Sequence, residues 1–393
     1  MPGGGKTGAR RRQGFGVDFG RRFLKAVHVE EAVEGLTVRA AAALPVAPGC
    51  YEGDRIVERR RLASMLRRLC KEQGITPPRG RFSVPTSSLS LKWLDLPRMD
   101  PQDLPDAARM QAHRYFGVDP AGSYQALYPL EPGASAGDVH YLLVAAPRDV
   151  VDARAEVMEA AHIEPVAADI EPLCVLRALH NLFSQGGVFW RNQSLTFVEM
   201  GSSATEMYVV RDMRLRFVRS IAFGARNLAL AVAEQVGCTE ADGAQMLEAP
   251  TTNLDPTGRL WLQLDHARED LDVAPTMAPL IREIGRLLVY YRSLFPERSY
   301  AGILDRMYLC GGLASLRGID AYLGAALGIT VHVVNPFSQV LAKFNVKAFE
   351  SVSHREQAFT AAIGLAAADV ATAPEAERGE ANDAGEYIWS RAS

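Results

Sequence analysis

The 393-residue sequence has little cysteine, no large excess of charge of either sign and no long hydrophobic run. Its five cysteines are scattered and include no Cys-x-x-Cys pair, which argues against a disulfide framework or a zinc site and favours a reducing compartment. A net charge of −3 gives no electrostatic support for nucleic acid as a partner. No apolar stretch reaches the roughly 20 residues that cross a bilayer, and no signal-peptide pattern follows the basic start. We therefore expect a cytoplasmic protein that is not itself transmembrane.

The length and composition indicate a globular protein with more than one core. Hydrophobic residues make up 48% of the chain and charged residues 23%, as in average soluble domains. Chains longer than about 250–300 residues usually divide into domains or lobes. Residues 1–13, rich in Gly and Arg, and residues 373–393, polar and mostly acidic, are predicted to be disordered tails. The first tail contains Gly-Gly-Gly-Lys-Thr but lacks the earlier glycine and the preceding strand of a P-loop.

A pattern of three strands joined by turns and followed by helices occurs twice along the chain. The first copy contains Gly-Val-Asp-Phe-Gly and the second contains Val-Glu-Met-Gly. Each copy has an acid, one residue, a glycine, a short turn and then an apolar strand. A duplication constrains the fold strongly, and two such lobes that face each other across a cleft resemble the actin-like ATPases. The sequence therefore predicts an α/β protein with this fold: two lobes of duplicated mixed sheets with helices, and a small inserted α+β subdomain.

The predicted domain boundaries follow the order of the strands and helices. The expected units are lobe 1 (14–96 and 164–193), the inserted subdomain (97–163), lobe 2 (194–227 and 297–372) and a smaller subdomain attached to lobe 2 (228–296). An irregular polar stretch at 248–274 has no interpretation from the sequence.

Each of the two duplicated turns carries the features of a site for phosphate and magnesium. Gly20 and Gly201 leave room for a phosphate against the hairpin backbone. Asp18 and Glu199 stand just before them, and a carboxylate there can hold a hydrated Mg²⁺, which makes both acids candidate catalytic and metal-binding residues. Either turn alone is read more simply as a plain hairpin, but the two together favour a site. Further hydroxyl donors follow the second turn: Ser202, Ser203 and Thr205.

A third motif lies near the end of the chain, where Gly311-Gly312 ends a predicted strand just before a helix. Two glycines let a flat purine lie against the backbone, and the N-terminus of a helix is electropositive. Leu313 and Leu316 complete the candidate nucleotide-binding residues of this segment. A lone Gly-Gly pair is weak evidence, but it occupies the third place in the order that an actin-like cleft requires.

Four segments of the sequence resemble the PilM family, the actin-like cytoplasmic proteins of type IV pilus assembly. They begin at Gly16 (GVDFG), Leu142 (LLVAAPRD), Val198 (VEMGSS) and Met307 (MYLCGG), and the resemblance extends over residues 14–365. The second segment continues into EPVAADIEP, which separates PilM-like proteins from the kinases and heat-shock relatives of the superfamily. The cell-division protein FtsA has a similarly placed insert and stays a neighbouring alternative.

The resemblance implies ATP and Mg²⁺ in the cleft between the lobes. It also implies a cytoplasmic adaptor that is peripheral at the inner membrane. PilM proteins hold the N-terminal tail of PilN, an inner-membrane protein, in a groove between the first lobe and the insert, and link it to other assembly or motor proteins. Trp93 and Tyr115 are the candidate apolar walls of that groove, although burial in the core is equally expected for two large aromatics.

The first turn departs from the family pattern, in which small hydroxyl residues usually follow the glycine. This chain has Arg21, Arg22 and Phe23 there and retains Lys25. The two arginines can bind phosphate through their donor forks, or fill the space of a terminal phosphate. Glu199 stands where the family usually has Asp, so nucleotide binding is expected more than efficient hydrolysis. A weak ATPase, a nucleotide-independent pseudo-ATPase scaffold and an FtsA-like protein stay open.

Overall fold

A computed structural model gives the fold and describes most of the chain. The described residues are 12–32, 35–76, 79–132, 135, 137–184, 194–211, 214–263, 268–294, 303–338, 341–342, 352–370 and 389–390. The predicted tails at 1–13 and 373–393 therefore lie largely outside the described residues. Gln13 begins a strand, however, and Trp389–Ser390 form another. No helix within the described ranges has the length and apolar character to span a membrane.

Lobe 1 is built on a seven-stranded mixed sheet. Its strands are β1 (Gln13–Phe19), β2 (Phe23–Ala32), β3 (Gly35–Pro45), β6 (Arg79–Val84), β10 (Glu164–Ile170), β19 (Leu341–Ala342) and β20 (Trp389–Ser390). They lie in the order β19-β3-β2-β1-β6-β10-β20. Neighbours among β1, β2 and β3 are antiparallel, whereas β6 and β10 run parallel to β1. Two short strands, β4 (Tyr51–Glu52) and β5 (Arg55–Ile56), form a separate hairpin.

Helices cover both faces of this sheet, because its central strands are apolar on both sides. The helices are α1 (Arg59–Gln73), α3 (Arg148–Ala160), α4 (Glu171–Ser184) and α9 (Thr360–Ala367). Helices α1 and α3 share a core with Phe15 and Val17 of β1, whereas α9 packs directly on Gly14 and Gly16. Since side chains alternate along a strand, Asp18 lies on the same face of β1 as α9.

Lobe 2 repeats this plan with a five-stranded sheet in the order β13-β12-β11-β17-β18. The strands are β11 (Ser194–Met200), β12 (Thr205–Arg211), β13 (Arg214–Ile221), β17 (Ile303–Cys310) and β18 (Thr330–Val333). The helices are α5 (Ala225–Val236), α6 (Glu240–Glu248), α7 (Ala274–Ser293) and α8 (Ile319–Leu327). One face of the sheet packs on α5, α7 and α8. The other face shares a core with lobe 1 through Phe197, Tyr208 and Val210.

A small sheet accounts for the stretch at 248–274 that the sequence left without an interpretation. It contains β14 (Asn253–Leu254), β15 (Arg259–Gln263) and β16 (Arg268–Asp272), which are antiparallel neighbours. Leu260, Leu262 and Leu271 are buried in the lobe 2 core. The small sheet therefore completes, with α5, α6 and α7, the outer part of lobe 2.

The inserted subdomain is a three-stranded antiparallel sheet with one helix. Its elements are β7 (Ser90–Pro97), α2 (Leu104–Phe116), β8 (Ser123–Pro132) and β9 (Asp138–Pro147), and the strand order is β7-β9-β8. Strand β7 precedes the predicted start of the insert at residue 97 and pairs with β9 along its whole length. The predicted fold class is confirmed: two lobes of duplicated mixed sheets with helices, and an α+β insert. The exact domain boundaries stay predictions.

Helix α9 is rich in small residues because it lies very close to its neighbours. All of its residues are buried. A Cβ at Gly364 would lie 1.8 Å from the carbonyl oxygen of Cys174 in α4. On the other side of the helix, a Cβ at Gly16 of β1 would lie 2.6 Å from the carbonyl oxygen of Ala362. The helix therefore packs tightly between β1 and α4, on the face of the sheet to which Asp18 belongs.

We expect Gly364→Ala to lower the free energy of unfolding by about 1–3 kcal/mol, the usual cost of forcing an extra methyl group into a packed interior. Gly285→Ala is the matched control, since Gly285 also lies in a helix and its nearest neighbour atom is 3.9 Å from the added Cβ. The control should be neutral or slightly stabilising because alanine favours the helix. Urea unfolding followed by circular dichroism measures both; equal stability of the two variants would contradict the packing described above.

Candidate functional site

The two duplicated hairpins place their acids in the same register. In β1 and β2, Asp18 stands directly opposite Lys25. In β11 and β12, Glu199 stands directly opposite Glu206. The structure thus pairs the predicted acid of each lobe with a residue at the equivalent position of the next strand. That residue is a lysine in lobe 1 and a second carboxylate in lobe 2.

Asp18 is held in a buried ion pair. Asp18 is 4% exposed, and its Oδ2 lies 2.5 Å from the Nζ of Lys25. The hydroxyl of Ser83 in β6 donates a hydrogen bond of 3.1 Å to the other carboxylate oxygen. The ammonium of Lys25 also donates a 2.9 Å hydrogen bond to the carbonyl oxygen of Ala358, just before α9. The pair therefore ties the first hairpin to the helix that packs beneath it.

The charge of Lys25 is stabilised by carboxylates of more than one element. Burial opposes this charge, but Asp18, with Glu199 and Glu171 beyond it, raises the pKa of Lys25 above its ordinary value. Since Glu199 belongs to lobe 2, carboxylates of both lobes contribute to the electrostatic environment of Lys25.

Glu199 sits in a polar environment that favours its neutral form. The hydroxyl of Tyr208 donates a 2.9 Å hydrogen bond to Glu199 Oε2. Burial, and next the negative charge of Asp18, raises the pKa of Glu199 to about 7, against the opposing effects of Tyr208 and Lys25.

Two further carboxylates share this environment. Burial raises the pKa of Glu206 to about 8, although the hydroxyl of Ser220 donates a 2.8 Å hydrogen bond to its Oε1. Its Oε2 has no hydrogen-bond partner among the described residues. Glu171, at the start of α4, accepts a 2.9 Å hydrogen bond from the backbone N–H of Thr86. Burial, followed by the charges of Glu199 and Asp18, raises the pKa of Glu171 well above its ordinary value.

The chemistry of this donor set fits a hydrated divalent cation. Four carboxyl groups (Asp18, Glu171, Glu199 and Glu206) share the region with two cations, the largely buried Lys25 and the buried Arg154. The pKa values of Glu171, Glu199 and Glu206 are raised, so a bound cation would stabilise their ionised forms. Within the described residues, no group of three or more His, Cys, Asp or Glu is arranged to hold a metal by itself. Mg²⁺ usually keeps several waters and needs only one or two protein carboxylates, so the arrangement agrees with Mg²⁺ that also has a ligand outside the protein.

The turn after Glu199 is braced by its own backbone and by helix α5. Gly201 donates a 2.9 Å backbone hydrogen bond to Ala204, and its carbonyl oxygen accepts one of 3.0 Å from Ala225. The hydroxyl of Thr205 is fully buried and donates 2.7 Å to the carbonyl oxygen of Phe223. Thr205 therefore holds the turn in place. The two serines that precede it in the turn, Ser202 and Ser203, are half-exposed.

The two glycines of the hairpins are required by the turns themselves. A Cβ at Gly20 would lie 2.7 Å from the carbonyl oxygen of Phe23, and one at Gly201 would lie 2.8 Å from that of Ala204. Both contacts are too short for a real side chain. The presence of glycine is thus explained by the hairpin geometry alone, and a role in ligand binding needs separate evidence.

The Gly311-Gly312 motif contains one structural and one open glycine. Gly311 has a φ of +86°, and a Cβ there would lie 2.6 Å from the carbonyl oxygen of Met200. Its N–H donates a 2.9 Å hydrogen bond to the carbonyl oxygen of Gln357. Gly312 is exposed, and a Cβ there would meet no atom within 4 Å. The side chains of Leu313 and Leu316 are buried in the lobe 2 core, so they support this loop from beneath.

The two arginines of the first turn bind different carboxylates. Arg21 lies 3.0 Å from Asp54, in the turn between β4 and β5 of lobe 1. Arg22 lies 2.6 Å from Glu248, at the end of α6 in lobe 2. The sequence predicted a choice between phosphate binding and space filling for these arginines. The structure gives each of them a protein partner, and their role toward a phosphate stays a prediction.

Trp93 and Tyr115 lie on opposite faces of the sheet of the insert. Trp93 donates a 3.2 Å hydrogen bond from its ring N–H to Leu215 of lobe 2. Its neighbour in β7, Lys92, points the other way and lies 4.7 Å from the ring centre of Tyr115 in α2. The two aromatics therefore do not face each other as the two walls of one groove. Trp93 joins the insert to lobe 2, whereas Tyr115 is 41% exposed.

Sequence reasoning missed several residues of the polar cluster: Ser83, Thr86, Arg154, Glu171, Glu206 and Tyr208. One signal was available for Glu206, because the duplication places it at the position that Lys25 holds in the first copy. Glu171 also lies in the distinctive EPVAADIEP segment. The others come from strands and helices that only the folded chain brings together.

Stability should depend on pH through these carboxylates. The folded-state pKa of Glu206, about 8, lies above the ordinary value of 4.5. Between the two values the folded protein binds more protons than the unfolded chain, so the free energy of unfolding falls as the pH rises. We expect Glu206→Gln to be more stable than the wild type by on the order of 2 kcal/mol near pH 9, and by little near pH 5.

Urea unfolding at a series of pH values measures this difference. Glu72→Gln is the control, because Glu72 is an exposed glutamate of α1 with 54% of its side chain accessible. The control should follow the wild type at every pH. If Glu206→Gln also has the stability of the wild type at every pH, Glu206 ionises as readily in the folded protein as in the unfolded chain.

Comparison with known proteins adds the family and the wider fold. The model of the family "Type IV pilus assembly protein PilM" matches residues 16–369. Among solved structures, the chain is similar to the "PilM-PilN type IV pilus biogenesis complex", with 21% identity, a TM-score of 0.75, and coverage of 91% of this chain and 99% of that chain.

More distant similarities extend to other proteins. The ethanolamine utilization protein EutJ from Carboxydothermus hydrogenoformans has 15% identity and a TM-score of 0.50, with coverage of 90% of this chain and 89% of that chain. MreB 5 of Spiroplasma citri bound to AMPPNP has 10% identity and a TM-score of 0.45, with coverage of 90% and 95%. The similarities to the chain of the pilus complex and to EutJ confirm the predicted actin-like ATPase fold.

Proposed function

Because this chain belongs to the PilM family of type IV pilus assembly proteins, we propose that it is a nucleotide-binding adaptor of pilus assembly. In this role a nucleotide binds between the lobes, and the lobes hold a partner from the inner membrane. The observation that carries the proposal is the largely buried cluster of carboxyl groups around Lys25, which includes the acids of both matched hairpins.

The proposed nucleotide is ATP with Mg²⁺. Asp18 and Glu199 would hold the hydrated Mg²⁺, one from each lobe, and Lys25 would balance their charge. When bound, the ion would neutralise negative charge on the phosphates. The backbone of the turns at Gly20 and Gly201 supplies donors for phosphate oxygens. Further proposed phosphate contacts come from the turns: Arg21, Arg22, Ser202 and Ser203. The proposed contacts to the purine are Gly311 and Gly312.

Some predicted residues serve the site indirectly under this proposal. Thr205 holds the second turn through its hydrogen bond to Phe223. Leu313 and Leu316 are buried under the Gly-Gly loop. These three side chains would position the backbone groups that bind the ligand, and they would not touch it.

An adaptor needs a nucleotide that favours one arrangement of the lobes, and it does not need fast turnover. We therefore propose binding as the main role of the site, with hydrolysis at most slow. A specific observation supports a second candidate function. The charge of Asp18 is balanced by Lys25, and the charge of Arg22 is balanced by Glu248. Because protein groups already balance these charges, the site also suits a pseudo-ATPase scaffold that binds its partner without nucleotide.

The proposed partner is the N-terminal cytoplasmic tail of a PilN-like inner-membrane protein. Support comes from the similarity, over 99% of its length, to the chain in the PilM-PilN complex. Helix α2 of the insert also exposes apolar side chains, with Met110 63% and Tyr115 41% accessible. Binding through such a partner would place the protein at the cytoplasmic side of the inner membrane, beside other assembly or motor proteins.

Isothermal titration of the full chain with ATP, with and without Mg²⁺, tests the nucleotide. We expect binding that Mg²⁺ strengthens, and a loss of roughly tenfold in affinity for Asp18→Asn, since a carboxylate near the metal is removed. Asp95→Asn is the control, because Asp95 is a 43% exposed aspartate on β7, and it should bind as the wild type does. No detectable binding of ATP to the wild type would leave the scaffold as the function.

A synthetic peptide with the N-terminal sequence of a neighbouring PilN-like protein tests the partner. We expect Tyr115→Ala to weaken its binding by roughly tenfold, as loss of an aromatic anchor at an interface often does. Tyr290→Ala is the matched control, since Tyr290 is a 45% exposed tyrosine on α7 of lobe 2. Fluorescence polarisation measures both. Equal affinity of the two variants would remove α2 from the proposed groove.

A further inference from the structure

Arg22 forms a salt bridge between the two lobes. It belongs to the turn between β1 and β2, and its Nε donates a 2.6 Å hydrogen bond to Oε1 of Glu248. Glu248 is the last residue of α6, in the outer part of lobe 2. About one third of each side chain is accessible, 32% for Arg22 and 30% for Glu248. The contact is therefore a partly exposed bridge between the lobes, which a ligand can reach from solvent.

The surroundings of Arg22 hold its guanidinium at the candidate site. Its carbonyl oxygen accepts a 2.9 Å hydrogen bond from the N–H of Val46, which fixes the turn. The guanidinium lies 5.3 Å from the ring centre of Phe23, and the guanidinium of Arg355 lies 4.8 Å from the same ring. Arg355 is two residues before Gln357, whose carbonyl oxygen binds the N–H of Gly311. Phe23 thus has a guanidinium near its ring from the first turn and another from the segment that leads to Gln357.

The neighbouring arginine is held by a different set of contacts. Arg21 lies 3.0 Å from Asp54, and the hydroxyl of Ser87 donates a 2.7 Å hydrogen bond to the other oxygen of that carboxylate. The carbonyl oxygen of Asp54 accepts hydrogen bonds of 3.2 Å from Arg154. All of these residues belong to lobe 1. Arg21 is therefore anchored within one lobe, whereas Arg22 connects two.

We infer that Arg22 senses the nucleotide by exchanging partners: it binds Glu248 when the first turn holds no phosphate, and the terminal phosphate of a nucleoside triphosphate when one is bound. The inference rests on the proposed nucleotide site. A phosphate offers several charged acceptor oxygens that match the donor fork of Arg, so it competes well with a single carboxylate oxygen. Glu248 is then the residue that sets how readily the triphosphate enters, because its bond to Arg22 must break first.

The affinities of four proteins for ATP test whether Arg22 exchanges partners. The proteins are the wild type, Glu248→Gln, Arg22→Ser and the double variant. We expect Glu248→Gln to tighten binding by about two- to fivefold, as loss of a competing half-exposed ion pair would. Arg22→Ser should weaken binding. In the Arg22→Ser background, Glu248→Gln should have no further effect, since Glu248 acts only through Arg22. If Glu248→Gln tightens binding equally in both backgrounds, Glu248 merely repels phosphate and the exchange is wrong.

A distance measurement without nucleotide tests the bridge itself. Cys238, beside α6, is half-exposed, whereas the other four cysteines are buried, so one spin label can be attached there and a second at Arg68→Cys on α1, where Arg68 is 60% exposed. We expect Glu248→Gln to broaden or lengthen the distance between the labels. Asp54→Asn, which breaks the matched pair within lobe 1, should leave it unchanged. An unchanged distance in Glu248→Gln would show that the bridge does not hold the lobes.

The two experiments distinguish a failure of the partner exchange from a failure of the proposed nucleotide site. If the wild type binds no triphosphate, the nucleotide site and the exchange are both wrong, whatever the distance shows. If it binds triphosphate but the four affinities are additive, only the exchange is wrong. Circular dichroism of each variant shows whether it is folded.

Discussion

The structure depends on the buried ion pair between Asp18 and Lys25. Both side chains lie on the face of the lobe 1 sheet that packs on α9, and the lysine also binds the carbonyl oxygen of Ala358 at the entrance to that helix. Removing either partner would leave a buried charge without compensation, which is far more costly than the pair is stabilising. The pair thus holds the first hairpin and helix α9 of lobe 1 in a single arrangement. It also makes Lys25 the centre of the surrounding carboxylates.

The two lobes share a backbone plan but differ in the charge at its central position. Where lobe 1 has Lys25, lobe 2 has Glu206 opposite its acid. Lobe 2 therefore has a second carboxyl group at the position of the lobe 1 lysine, and burial raises the pKa values of both Glu199 and Glu206. Such a site is stabilised by a cation, which connects the divergence of the two copies to the proposed binding of Mg²⁺ with a nucleotide.

Local patterns in the sequence were enough to predict the fold and the two acids. The order of strands, the glycine after each acid and the repeat itself are short-range features, and they predicted Asp18 and Glu199 at matched positions. Such patterns do not predict which residues that are far apart in the sequence will contact each other in the fold. Nothing near Arg22 in the sequence indicates Glu248, 226 residues away, and nothing near Trp93 shows that it faces lobe 2 while Lys92 faces Tyr115. The face on which a side chain lies is set by the register of whole strands, which the sequence predicts less well than their presence.

The central claim is that the two hairpins form one nucleotide site. Hydrogen–deuterium exchange of the full chain, with and without Mg·ATP, tests it most directly. The account predicts slower exchange at the turn that contains Gly20 and at the turn that contains Gly201 together, with the Gly311 loop protected as well. Protection confined to one lobe, or absent from both turns, would contradict it.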